Sequence, residues 1–145
     1  MERVIPMKNF PSALGAACGA LALLTVLPAA GQELRETVTP NFAQEIPNVP
    51  GKSVLAVVVD YPPGAASRPH MHAKSAFIYA YVVSGAIESQ VDDGPVRTLR
   101  AGESFHEPPA ARHVVSRNAS KTEPARLLAV FVVDSDDKPL TTPLQ

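Results

Sequence analysis

An all-β domain, closed as a barrel or folded as a sandwich, is what this sequence predicts, and three observations carry the prediction. Between residues 53 and 133, short runs rich in β-branched and aromatic residues recur at even spacing. Gly, Pro and Asp separate these runs, and no stretch after the first 31 residues shows a helical period. The 145 residues leave room for one core of ordinary size. Closure protects sheet edges that would otherwise invite association, so many short strands in about a hundred residues favour a barrel or sandwich.

The N-terminal segment, 1–31, reads as a secretory signal. A basic start around Arg3 and Lys8 leads into an apolar run, and Ala29-Ala30-Gly31 supplies the small residues that a signal peptidase accepts. Cleavage after Ala30 or Gly31 starts the mature chain near Gln32, while Met7 offers a second conventional translation start. The apolar run is rich in Gly and Ala and scarcely reaches the roughly 20 residues of a spanning helix, so no stable membrane anchor is expected. Cys18 is the only cysteine and lies in this run, with Gly15 where a lipoprotein signal needs a large aliphatic residue. The mature chain is therefore expected in the periplasm or outside the cell, without thiols or disulfides.

Residues 32–51 are polar and broken by Pro40, Pro47 and Pro50, which predicts an arm on the surface or against a partner subunit. The barrel is expected over 52–135. Its predicted strands are 53–60, 76–83, 86–91, 96–100, 103–107, 113–116 and 125–133, with a tight turn at Asp92-Asp93-Gly94. The run 76–83 is apolar on both faces and leaves no side for water; its aromatic set Phe77, Tyr79 and Tyr81 is expected to bury against a second sheet of the same chain or a partner subunit, and a homodimer is predicted. A polar tail, 136–145, follows. Beyond residue 31, eleven Lys and Arg stand against thirteen Asp and Glu, a net charge of −2 with interleaved signs, which excludes the basic footprint of a nucleic-acid partner.

The chemistry lies in four histidines, His70, His72, His106 and His113. One residue separates His70 from His72, so an extended backbone points both rings to one face, with Met71 on the other. His113 opens a strand after Pro108-Pro109 and supplies a third ring if its strand neighbours theirs. Three neutral imidazoles favour a divalent transition metal (Zn, Fe, Mn, Ni, Co or Cu) over Mg or Ca.

Gly64-Ala-Ala-Ser-Arg-Pro-His70-Met-His72, followed by Tyr81-Val-Val-Ser-Gly85, resembles the first signature motif of the cupin superfamily, G-x5-H-x-H-x3–4-E-x6-G. Gly102-Glu-Ser-Phe-His-Glu-Pro108-Pro-Ala-Ala-Arg-His113 resembles the second, G-x5-P-x-G-x2-H-x3-N. The resemblance implies a double-stranded β-helix, a small jelly-roll barrel, with an internal metal held by His70, His72, His113 and a glutamate. Counting back from Gly85 puts Ile78 at the glutamate position, and counting forward from His72 reaches Ala76 or Phe77. The motif-two glycine is Ala110, and its asparagine position holds Arg117 with Asn118 next. Either the metal keeps an open position or another carboxylate fills in. Alternation on 103–107 lets only one of His106 and Glu107 face inward, and Glu107 is preferred, with Glu88 behind it.

What the resemblance implies is a small-molecule protein, an oxygenase or isomerase whose metal polarises a carbonyl or binds dioxygen. A non-catalytic ligand- or metal-sensing module, and a metal-free structural barrel, are the competing readings, because scaffold does not fix reaction. Ala76 and Ala80 are expected to line the site; Arg68, Arg112 and Arg117 flank the histidines and could draw an anionic ligand, although arginines near strand ends are more often simply solvated. Asn118-Ala-Ser120 fits a glycosylation acceptor. Gly102-Glu-Ser104-Phe-His106 lacks the second glycine of a nucleophile elbow.

Overall fold

The computed structural model describes residues 33–145, so the signal-peptide reading of 1–31 falls outside the described residues. Ten strands are found among them: β1 (Thr37–Glu45), β2 (Lys52–Tyr61), β3 (His70–His72), β4 (Phe77–Ser84), β5 (Ala86–Val91), β6 (Arg97–Arg100), β7 (Ser104–Glu107), β8 (Arg112–Asn118), β9 (Ala125–Asp134) and β10 (Thr141–Pro143). They form two five-stranded sheets, ordered β1-β2-β9-β4-β7 and β10-β3-β8-β5-β6, with every pairing antiparallel. This is the predicted all-β class in jelly-roll form. Among the described residues no helix is long and apolar enough to cross a membrane.

The first sheet is built on the unbroken β2–β9 ladder, which runs from Lys52↔Asp134 to Tyr61↔Ala125. Alternation along β4 and β9 sends Ile78, Ala80, Val82, Leu127, Ala129 and Phe131 inward; Ala80, Val82 and Leu127 meet Ile87 and Leu99 of the opposing sheet, while Ile78, Ala129 and Phe131 pack in a second cluster with Ala73, Ala76 and Val133. Ile87 and Val82 are fully buried, and each such aliphatic side chain contributes about 1.5–3 kcal/mol by leaving water. Ala76 and Ala80 belong to this packed core and do not line the site cavity, contrary to the expectation from their size. Small side chains mark close approach of the sheets as readily as they mark a pocket.

Four departures from the sequence reading have physical causes. The expected arm carries β1, an edge strand exposed along its whole length, with Pro40 and a register shift between Pro40 and Phe42; an edge tolerates a residue lacking N–H. The polar tail contributes β10, which pairs with β3 through Thr141↔His72. The outer face of β4 does meet water, with Phe77 and Tyr79 each 44% exposed, because no third layer among the described residues covers it. The Asp92-Asp93-Gly94 segment makes a wider connection than a two-residue turn, since β6 resumes at Arg97 beyond Pro95.

Ala110 stands in the left-handed region at φ 60°, at the position where the second motif has glycine. A Cβ there is strained, so Ala110→Gly is expected to stabilise the fold by roughly 1 kcal/mol. An unchanged or lower urea midpoint would contradict this.

Asn118 is buried, and its amide donates to the carbonyls of Tyr61, Pro62 and Glu123 while its Oδ1 accepts from the Ser120 N–H. It pins the β8–β9 connection to the end of β2. In the folded chain its nitrogen is committed, so the glycosylation reading does not hold for this state.

Candidate metal site

β3 is short because Pro69 precedes it and holds Arg68 in extended conformation. Alternation over His70-Met71-His72 leaves Met71 37% exposed and turns both rings into the space between the sheets. β3 pairs with β8 in a register that sets His70 directly opposite His113. The three rings converge, with centroid separations of 4.8 Å (His70–His72), 5.3 Å (His70–His113) and 6.1 Å (His72–His113). One nitrogen from each lies within 4.8 Å of the others, a cluster able to hold a metal ion.

Each outer ring is oriented by a second contact. His70 Nδ1–H donates to the Arg68 carbonyl at 2.8 Å, leaving Nε2 for the site. His113 Nε2 meets the Ser89 hydroxyl at 2.9 Å, leaving Nδ1. Such partners fix ring tautomer and direction in metal sites.

Glu107 supplies the carboxylate. On β7 it alternates inward with Phe105, while His106 points out and stacks against Phe77 at 5.8 Å between ring centroids. Glu107 is 3% exposed, and its Oε2 lies 2.8 Å from His72 Nε2 and 3.4 Å from His113 Nδ1. The β4–β7 register pairs Glu107 with Ile78, the residue at the motif-one glutamate position. A carboxylate therefore reaches the site from the neighbouring strand, one inter-strand spacing from the place where the motif counts one.

Close as they are, His72 Nε2 and Glu107 Oε2 do not meet in hydrogen-bond alignment, and both atoms, with His72 Nδ1, are buried without a hydrogen-bond partner among the described residues. A buried ionised oxygen without a partner is costly, and a divalent cation satisfies it together with the imidazole lone pairs. The donor set thus fits a transition metal held by His70, His72, His113 and Glu107.

Protonation agrees with that fit. Burial pushes the His113 ring down to about 4, despite the opposing pull of Glu107, and also lowers His70. For Glu107, burial acts to raise the carboxyl, but contact with His72 and the charge of the surrounding rings outweigh it and hold the group below its ordinary range. Near neutral pH the site offers lone pairs and one negative charge. In the ion-free protein the unfolded His113 takes a proton below its ordinary 6.5 while the folded ring refuses it until about 4. Stability is therefore lost as pH falls through that window, by about 3 kcal/mol from this residue, and Glu107 adds a loss in the same direction at lower pH. A urea midpoint unchanged between pH 7 and 4.5 would contradict this.

A cavity of about 280 Å³ adjoins the cluster. Its walls include Val57, Val59, Leu127, Ala129 and Phe131, and its polar groups include Tyr61, Glu36, Ser67, Ser116 and Thr141. The Tyr61 hydroxyl is held by Ser67 and Ser116 at 2.8 and 2.7 Å, and burial raises its pKa. Several expected participants are elsewhere. Glu88 does not stand by the metal cluster; it faces outward and binds Arg117 at 2.6 Å across the β5–β8 pair. Arg112 pairs with Asp93 at 2.8 Å, and neither these arginines nor Arg68 line the cavity, so no anion funnel exists there. Glu36, Tyr61 and Ser89 escaped the sequence reading. Tyr61, at the inward end of β2's alternation, carried a usable signal; Glu36 lies in an aperiodic arm and carried none.

A two-sheet β-barrel whose interior holds three histidines and a carboxylate beside a cavity defines a class of small jelly rolls with a donor set able to hold a metal. The Cupin_2 family, described as cupin domain, matches residues 57–131, just over half of the chain, and the chain belongs to that family. Among solved structures it is similar to a conserved double-stranded β-helix protein from Klebsiella pneumoniae subsp. pneumoniae, at 21% identity and TM-score 0.60 over 83% of this chain and 90% of that one. It is also similar to the TT1209 protein from Thermus thermophilus, at 24% identity and TM-score 0.55 over 68% and 84%. An oxalate oxidase in complex with the substrate analogue glycolate matches at 22% identity and TM-score 0.59 over 83% and 61%. At these identities the likeness establishes the fold. No curated protein matches the sequence.

Proposed function

We propose that the chain is an exported single-domain cupin that binds a divalent transition metal through His70, His72, His113 and Glu107 and acts on, or captures, a small molecule. The observation that carries this reading is the set of buried, partnerless donor atoms on His72 and Glu107, facing the other two rings beside a cavity of about 280 Å³. Cavities of this size are at the small end of ligand sites. When bound, the metal supplies Lewis-acid chemistry at a substrate oxygen, the common basis of oxygenase and isomerase activity. The chain's own contribution is to hold the donors in register, exclude water with the apolar wall and set Tyr61 and Glu36 toward the ligand. The test is to measure metal in the purified mature protein and then screen oxygen uptake and product formation against small phenols, diketones and sugars. Bound metal with turnover supports the enzyme reading, bound metal without turnover turns it into a binding or sensing module, and absence of tight metal overturns it.

Export rests on the character of residues 1–31, and the periplasm or the cell exterior is the proposed location. A homodimer is proposed from the outer face of the first sheet, where Phe42, Phe77, Tyr79, Val83 and Val132 are exposed on the sheet that also carries the free edge of β1. Apolar area of this kind on a small domain marks an interface. Light scattering is expected to give twice the chain mass, and Tyr79→Glu to halve it; a monomeric wild-type protein refutes the dimer.

A further inference from the structure

The polar groups of the cavity have a one-sided charge. Glu107 lies at its metal end and Glu36 at another wall, and no Lys or Arg is among its described lining residues. Glu36 is not a surface residue pointing to solvent by default. The Ala66 N–H donates to the Leu34 carbonyl at 3.1 Å on one side of it, and the β1 ladder starts with Thr37↔Asp60 on the other, so its backbone is fixed at both ends. Val38, two residues on, also lines the cavity, as alternation requires. The consequence is a carboxylate oxygen, Glu36 Oε2, that is buried and has no hydrogen-bond partner among the described residues.

From this geometry we infer that Glu36 is the ligand-facing acceptor of the site, and that the cavity selects a neutral or cationic molecule with an apolar body and an O–H or N–H donor, over a carboxylate or other anion. The inference deepens the functional reading above and rests on the cavity being a ligand site. A divalent ion balances the charges of Glu107 and Glu36, so an added anion would bring a further negative charge next to Glu36 that no lining Lys or Arg offsets. A hydroxyl or amine instead gives the stranded oxygen its missing partner, and a charged acceptor makes that hydrogen bond a strong one. The apolar walls Val57, Val59, Leu127 and Phe131 accept the rest of such a molecule. The fold resemblance to an oxalate oxidase therefore does not carry over as a preference for dicarboxylates.

The test uses three probes of one size, phenol, benzylamine and benzoate, titrated calorimetrically into the cobalt-loaded protein and into Glu36→Gln. Phenol and benzylamine are expected to bind the wild-type protein about tenfold or more tighter than benzoate. Glu36→Gln is expected to narrow that ratio to about threefold or less, with cobalt stoichiometry and melting temperature unchanged. Benzoate binding most tightly, an unaltered ratio in Glu36→Gln, or no binding of either donor probe at millimolar concentration would each overturn the proposal. Failure of cobalt to bind would instead remove the metal reading, and the same ranking on ion-free protein would still decide the role of Glu36.

Discussion

Alanine at His72 or at His113 is expected to cost the protein its metal. Apparent binding free energies for tight four-ligand sites are on the order of 10–16 kcal/mol, so one ligand accounts for about 3 kcal/mol, or roughly a hundredfold in affinity. His72 has the strongest claim because both of its ring nitrogens are buried without hydrogen-bond partners, and His113 because Ser89 aims its free nitrogen at the cluster. The fold should survive both changes. His72 is on the three-residue strand β3, and its ring contacts Phe131 only at the core's margin, 5.7 Å between centroids. Cobalt or zinc titration, with circular dichroism as the control, checks the result; folded variants that retain full affinity would contradict the site.

The largest effect on stability is expected at Gly85. It turns the chain from β4 into β5 with φ 71°, and a Cβ added there would lie 2.6 Å from the Pro124 carbonyl oxygen and 2.8 Å from Ala125 Cα. Both neighbours are backbone, so no side chain can swing aside. Left-handed strain of about 1–2 kcal/mol and overpacking of about 1–3 kcal/mol add to a loss of roughly 2–5 kcal/mol for Gly85→Ala. Against a typical total of about 5–15 kcal/mol this is a large fraction. Denaturant unfolding checks it, and a loss below about 1 kcal/mol would show that the β4–β5 corner adapts. This is also the physical meaning of the glycine that closes the first motif: the β8–β9 connection passes directly over it.

The strands that sequence reading placed well are those whose own alternation or β-branched content decides them. The run 125–133 became β9 at Ala125–Asp134, and 53–60 became β2 at Lys52–Tyr61. β1 and β10 were not legible because their polar, proline-broken sequences become strands only by bonding to the edges of β2 and β3. The same division runs through the site. Alternation put His70 and His72 on one face and allowed only one of His106 and Glu107 inward, nearness to the Pro108-Pro109 turn favoured Glu107, and both readings agree with the side-chain directions. What no local pattern contains is register between strands distant in sequence. That register sets His113 opposite His70, turns Glu88 outward to Arg117, and lays Glu107 against Ile78. Glu36 was invisible for the same reason, since only the pairing of β1 with β2 carries it to the cavity.

The central claim is that Glu107 supplies, from β7, the carboxylate that the first motif would place at Ile78 on β4. Cobalt affinity of three proteins tests it most directly: wild type, Glu107→Ile, and the exchange variant combining Ile78→Glu with Glu107→Ile. Loss of one charged ligand is expected to weaken binding roughly a hundredfold in the single variant. Returning the carboxylate across the strand pair is expected to restore most of it. Undiminished cobalt affinity in a folded Glu107→Ile protein would contradict the account.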